Sequence, residues 1–184
     1  MTKTKKIILI SALEGLAALA LAALLVFSLW ILCSPQTMAT ASEKTGNYSF
    51  AVTCADLRYQ YTKKTEDLAR CVQDSILCGN DEKIVKYGES FLTKADFEEV
   101  CLSRGENFKI YVCGNIALAQ YNIKTLEKAI STCETGGELS FIKLTVAVVE
   151  KGSAEQRQAL KAALEKQTQT DTIINLINLL DTGE

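Results

Sequence analysis

Three patterns of apolar and polar residues follow one another along the chain. Residues 7–33 are apolar with three polar exceptions, and residues 34–47 are polar, rich in small residues and without a period. From Tyr48 onward, apolar residues recur at helical spacing, and no stretch shows sustained strand alternation. The pattern predicts an all-α protein: an N-terminal apolar helix, a linker over 34–47 and a helical domain over 48–184.

The apolar segment has the length of a membrane span. Gly15 to Leu32 alone would form a helix of about 27 Å, close to the ~30 Å hydrocarbon core of a bilayer. We therefore predict a transmembrane helix over 7–33. Three lysines lie in residues 1–6, and the next lysine after the span is Lys44. The positive-inside rule then places the N-terminus in the cytoplasm and the C-terminal domain outside the plasma (cell) membrane.

A cleaved signal peptide is the alternative interpretation of the same segment. The small residues around Ala41 fit a cleavage site. The apolar stretch is longer than the ~7–15 residues usual for a signal peptide, which favours a retained signal anchor and a single-pass protein.

Four small residues and one acid within the span are candidates for contact with another membrane helix. Ser11, Gly15, Ala18 and Ala22 fall on one helical stripe, and such stripes allow close helix approach. Glu14 lies beside the stripe, and an ionisable group in a span is a functional candidate. Alternatively, alanine is simply common in this segment, and Glu14 extends to the inner boundary.

The helical spacing after the linker predicts nine helices. Ser153 followed by Gln156 has the form of a capping box. The predicted ranges are 48–61, 65–78, 81–91, 95–102, 108–121, 125–133, 139–150, 154–165 and 172–180.

These helices carry an internal period of about 30 residues. Tyr61, Phe91 and Tyr121 are spaced by this period, and each would end the first helix of a unit. The turns that follow contain a second series at the same spacing, Lys64, Lys94 and Lys124. The period predicts a helical hairpin repeated about four times, with 172–180 as a closing helix.

This pattern resembles the tetratricopeptide and Sel1-like families of helical-hairpin repeats. The resemblance covers about residues 48–165 and includes a small residue in each first helix: Ala55, Gly88 and Gly114. The unit is shorter than the family's repeat of about 34 residues, and the family's closing proline is absent. The resemblance implies a short solenoid with a general protein- or peptide-binding role. The alternative is an irregular helical bundle.

Six cysteines follow the span, and an even number in an exported domain favours disulfides. Cys54 with Cys71, and Cys113 with Cys133, lie equidistant from predicted hairpin turns. Stacking of units adds Cys78 with Cys101. The alternative is that all six are reduced and buried in helix packing.

Composition argues against catalysis and cofactor binding. The chain has no histidine, 20 basic and 22 acidic residues, and a net charge of -2. Without histidine the commonest general base and metal ligand are missing, and no basic stripe suggests nucleic-acid binding. We therefore expect a non-enzyme with no metal and no cofactor.

The function expected from these features is an extracytoplasmic, membrane-anchored interaction module for a protein or peptide partner, held in the lipid bilayer by residues 7–33. The alternative is a small subunit of a membrane protein complex, recruited through the transmembrane helix. The candidate groove residues are polar positions of the first helices: Arg58, Tyr59, Lys86, Asn115 and Gln120.

Overall fold

The structure is a computed structural model that describes the backbone of residues 3–182 and the side chains of residues 14–30 and 34–182. The described chain forms eleven helices and no strand. They are α1 (Lys3–Cys33), α2 (Pro35–Lys44), α3 (Tyr48–Thr62), α4 (Thr65–Leu77), α5 (Asp81–Leu92), α6 (Phe97–Ser103), α7 (Phe108–Ile123), α8 (Leu126–Gly136), α9 (Ser140–Lys151), α10 (Ala154–Leu164) and α11 (Asp171–Thr182).

The all-α class is confirmed, and the nine helices expected between residues 48 and 180 are present as α3 to α11. Local signals explain why they begin where they do. The side chains of Asn47, Asn80 and Thr125 each accept a hydrogen bond from a backbone N–H in the first turn of the following helix. Ser153 and Gln156 form the expected capping box at α10.

The helices pack around two main apolar cores. The first lies among α3, α4, α5, α6 and α7, with Leu68 and Phe91 fully buried. The second lies among α7 to α11, where Phe141 and Leu160 are fully buried. Because α7 contributes to both cores and contacts both α5 and α9, it joins the two halves of the domain.

Residues that are related by the 30-residue period differ in their burial and packing. Tyr61, Phe91 and Tyr121 all lie in the last turns of α3, α5 and α7. However, Tyr61 is 71% exposed whereas Phe91 is fully buried. The second unit also departs from a regular hairpin, because α6 packs against α4 and α7 and meets α5 through an edge-to-face contact of Phe91 with Phe97.

The prediction of a linker over residues 34–47 is wrong, because most of this segment forms helix α2. Pro35 occupies the first turn, where its missing N–H costs nothing. Met38 and Ala39 are buried with Cys54 and Phe50 of α3. The segment is therefore part of the helical domain.

Helix α1 extends from this domain with its apolar side chains uncovered. Between Glu14 and Trp30, Leu16 and Leu19 are more than 70% exposed, and α2 is the element against which α1 packs. Within the described residues, no single helix is long and apolar enough to cross a membrane. Glu14–Trp30 together with Pro35–Lys44 meets that test as a pair, bent by 97°.

The closing helix α11 covers the end of the second core. Ile173, Leu176 and Leu180 are buried there. Ile174, which follows Ile173 in the chain, is 43% exposed. The buried positions follow the helical spacing of three and four residues.

Candidate functional site

Asn115, one of the candidate groove residues, connects α7 to α9. Its side chain donates a hydrogen bond to the Tyr111 carbonyl (2.7 Å) and accepts one from Lys143 Nζ of α9 (2.6 Å). Lys143 Nζ also lies 6.0 Å from the centre of the Tyr111 ring, within the range of a cation–π contact. Burial, and then the nearby Tyr48, raise the pKa of the Tyr111 phenol. This arrangement forms a surface of mixed aromatic, amide and cationic character, which we call the α7–α9 surface (Tyr111, Asn115 and Lys143).

Lys86 and Tyr59 also lie at the surface, on other helices. Lys86 is exposed, and its Nζ atom lies 4.8 Å from the ring centre of the buried Tyr87. Tyr59 has two lysines over its ring, Lys63 at 5.6 Å and Lys94 at 5.8 Å. Both sites combine an aromatic ring with ammonium groups, a combination that suits contacts with a polar partner.

Two of the candidate groove residues serve internal contacts instead. Arg58 Nε forms an ion pair with Asp67 of α4 at 2.6 Å, which closes the α3–α4 hairpin. Gln120 is only 3% exposed, and its side-chain oxygen accepts a hydrogen bond from Thr132 of α8 at 2.6 Å. These two residues therefore hold helices together within the domain.

A charged cluster at the α2–α4 boundary was missed by the sequence analysis. Arg70 Nε donates to Glu43 Oε1 at 2.7 Å, and its terminal nitrogen donates to Thr40 Oγ1 at 2.8 Å. Asp74 lies one turn further along α4 and is 1% exposed. The spacing of Pro35, Met38 and Ser42 was the available sequence signal, because it places three residues on one face of a helix.

The buried position of Asp74 increases the affinity of its carboxylate for a proton. Desolvation, and then the negative charge of Glu43, raise the pKa of Asp74 to about 7. The nearest cationic atom, Arg70 Nε, is 3.9 Å away. A buried acid with such a pKa can exchange a proton near neutrality.

The six cysteines after the span are free thiols in the structure, so the expected bridges are not made in it. Cys54 packs against α2 residues, because α2 covers the face of α3 that carries Cys54. Cys71, by contrast, belongs to the first core. Cys113 of α7 lies against Gly136 of α8, and burial and then Cys113 raise the pKa of the Cys133 thiol, so these two cysteines are neighbours across α7 and α8. Burial raises the pKa of Cys101 to about 11 and that of Cys113 to about 12.

The candidate membrane-helix contacts remain separate from the domain. Glu14, Gly15, Ala18 and Ala22 are exposed, and space around Gly15 is open within 4 Å. The Ser11 side chain lies outside the described residues. Within the described residues, the chain itself therefore leaves Glu14, Gly15, Ala18 and Ala22 uncovered.

Two surface cavities lie at the C-terminal end of the domain. One, of about 430 Å³, lies between α10 and α11 and is bounded by the ion pair of Lys161 with Asp181. The other, of about 310 Å³, lies between α8 and α10 and includes Ile130 and Ala159. Across the described part of the chain, no group of three or more potential metal ligands comes together.

Comparisons with protein-family models, curated proteins and solved structures gave no match to this chain.

Proposed function

We propose that the protein is a membrane-anchored, non-catalytic interaction module whose helical domain presents the α7–α9 surface to a protein or peptide partner outside the cell membrane. In this proposal, α1 is the single-pass anchor with its N-terminus in the cytoplasm. The domain is a short array of helical hairpins of the tetratricopeptide or Sel1-like kind.

The observation that carries the proposal is the uncovered apolar surface of α1. Leu16, Leu19 and Val26 are 67–72% exposed, and the domain does not fold back over them. Burying apolar surface stabilises by about 25 cal/mol per Å², so a helix of this kind requires an apolar environment. The hydrocarbon core of a bilayer supplies one for about 20 helical residues.

Contacts between helices about one period apart support the hairpin array. Thr65 donates to Asp96 at 2.7 Å, and Arg104 donates to Gln73 at 2.9 Å; both pairs are separated by 31 residues. Lys143 and Asn115 are 28 residues apart. Neighbouring units of a solenoid make contacts of this kind between corresponding positions.

The anchor and its orientation are tested on intact cells. We expect the full chain to stay in the membrane fraction at alkaline pH, and external protease to digest residues 48–184 while sparing the N-terminus. A mature chain that begins at Ser42 contradicts retention, and protection of the domain contradicts the orientation.

The interaction role is tested with the full chain in lipid nanodiscs. A partner identified by crosslinking should be lost with Tyr111→Ala or Lys143→Glu. It should be retained with Lys166→Glu, which changes the same charge at an exposed site between α10 and α11.

A second function is a subunit of a membrane complex, which the exposed stripe of α1 favours. In that case Ala18→Leu would remove the partner while Lys143→Glu would not. The opposite result assigns binding to the domain.

A further inference from the structure

Two carboxyl groups and one guanidinium meet where side chains of α2 and α4 are hydrogen-bonded to each other. Asp74 is buried to 1% exposure, and neither of its side-chain oxygens accepts a hydrogen bond from an N–H or hydroxyl donor among the described residues. Burying a carboxylate without hydrogen-bond donors costs free energy, because no protein group replaces the water molecules that hydrated it. Asp67 on the same helix is different, because its carboxylate accepts hydrogen bonds from Arg58 Nε and from the Thr62 hydroxyl.

The neighbouring Arg70 is already engaged with α2. Its Nε donates to Glu43 at 2.7 Å and its terminal nitrogen donates to Thr40 at 2.8 Å. Its Nε lies 3.9 Å from Asp74, beyond hydrogen-bond distance. The guanidinium is thus hydrogen-bonded to Glu43 and only within ion-pair distance of Asp74.

The carboxyl groups of Asp74 and Glu43 face the same atom, because Arg70 Nε lies 2.7 Å from Glu43 Oε1 and 3.9 Å from Asp74 Oδ2. Two carboxylates are both acceptors, so a hydrogen bond between them requires a shared proton. When two acids share a site, one of them holds its proton to higher pH than usual.

We propose that Asp74 and Glu43 share one proton, and that this proton holds α2 against α4, so that the attachment of the α1–α2 segment to the helical domain depends on pH. At low pH the shared proton bridges the two helices. When it is lost, two negative charges lie side by side while Arg70 is hydrogen-bonded to Glu43 and not to Asp74, and α2 is pushed toward water. The apolar contacts of Met38 and Ala39 with α3 remain, so the change is a loosening of α2.

The other charged groups at the site act in opposite directions. Arg70 on α4 and Arg104 at the end of α6 favour the ionised form of Asp74, but burial and Glu43 outweigh them and the pKa of Asp74 is raised to about 7. The thiol of Cys71 is a further titratable group on this side of α4, and its pKa is raised by burial and by nearby acids including Asp74. That thiol therefore stays neutral near pH 7.

The direction of the effect follows from the raised pKa. Docked Asp74 holds a proton that an exposed aspartate, with a pKa of about 3.9, has already released. Docking is therefore strongest at low pH, weakens as pH rises from about 4 to about 7, and is constant above that.

Hydrogen exchange of the full chain in lipid nanodiscs tests this proposal. After correction for intrinsic exchange rates, protection of the α2 amides should fall as pH rises from 5 to 7, by up to ~10-fold per pH unit. Asp74→Asn keeps the shape of the side chain but cannot ionise, so its α2 protection should be the same at both pH values. Asp67→Asn is the matched control on the same helix and should keep the wild-type pH dependence of α2.

Two outcomes overturn the proposal: wild-type protection of α2 that does not change between pH 5 and 7, or an Asp74→Asn chain with the wild-type pH dependence. Should that variant not fold, the ¹³C shift of the Asp74 carboxyl in the wild-type chain decides. A titration midpoint near that of an ordinary aspartate, about 3.9, rejects the shared proton, and a midpoint near neutrality supports it.

Discussion

Gly88 of α5 lies directly against the Ile116 side chain of α7, at a point where a Cβ atom on residue 88 would come within 2.6 Å of Ile116 Cγ1. Both residues are buried, and Ile116 is branched at Cβ, so it has little freedom to move aside. The absence of a side chain at Gly88 is therefore what allows α5 and α7 to approach here.

We expect Gly88→Ala to destabilise the domain. Overpacking of a tight core typically costs about 1–3 kcal/mol, which exceeds the ~0.5–1 kcal/mol gained when alanine replaces glycine within a helix. Thermal or denaturant unfolding of the full chain measures the difference.

Gly114→Ala is the matched control, since Gly114 is also buried within a helix. Its added Cβ would meet Ser140 at 3.7 Å, an ordinary contact. This variant should be as stable as wild type or slightly more so. Equal destabilisation by both substitutions would show that the close approach at Gly88 is not the cause.

The buried position of Met38 predicts that α2 stabilises the domain. Met38→Ala should lower the free energy of unfolding by about 2 kcal/mol, because a buried methionine is truncated next to Cys54. Thr37→Ala, one residue away on the exposed side, should stay within about 0.5 kcal/mol of wild type. If Met38→Ala matches this control in denaturant unfolding, α2 does not dock as described.

Adjacent isoleucines test the packing of α11. Ile173 is fully buried in the second core and Ile174 is 43% exposed. Ile173→Ala should cost about 2–5 kcal/mol, and Ile174→Ala should change stability by about 0.5 kcal/mol or less. Calorimetry of the two variants compares the same chemical change at two levels of burial, and the reverse order would place α11 in a different rotation.

Thiol labelling tests the state of the cysteines. In the native chain at pH 8, Cys78 should react before Cys101 and Cys113, because Cys78 is partly exposed and the other two are buried. Burial raises the pKa of Cys101 to about 11, so its reactive thiolate is scarce at that pH.

Peptide mapping under non-reducing conditions gives the complementary result. Free Cys54, Cys71, Cys113 and Cys133 would agree with the structure. A bridge between Cys54 and Cys71 would instead support the pairing expected from the sequence.

Much of the helical architecture could be predicted because its causes are local. The nine helix ranges follow from apolar spacing and from caps such as Asn80 and Ser153, which act within one turn. The small residue at 88 could also be singled out. Its partner, Ile116, could not be identified from spacing alone, because it lies on another helix 28 positions away.

The candidate site was predicted less well than the helices. Asn115 does lie at a junction of two helices, where Lys143 reaches it. Gln120 has a similar polar side chain, but it lies in the interior, where it accepts a hydrogen bond from Thr132. Residue type does not distinguish these outcomes, because the packing of a neighbouring helix decides which polar groups stay at the surface.

The sequence by itself determined the all-α class, the helix ends after residue 48 and the long apolar segment, since propensity, capping and apolar spacing depend on near neighbours. The tertiary structure alone decided that α2 belongs to the domain, that Cys54 faces it, and that Asp74 is buried beside Glu43. These facts depend on contacts such as that between Arg70 and Glu43, which are 27 residues apart. Contacts at this separation form only when whole helices pack, because burial of one helix face against another brings the residues together.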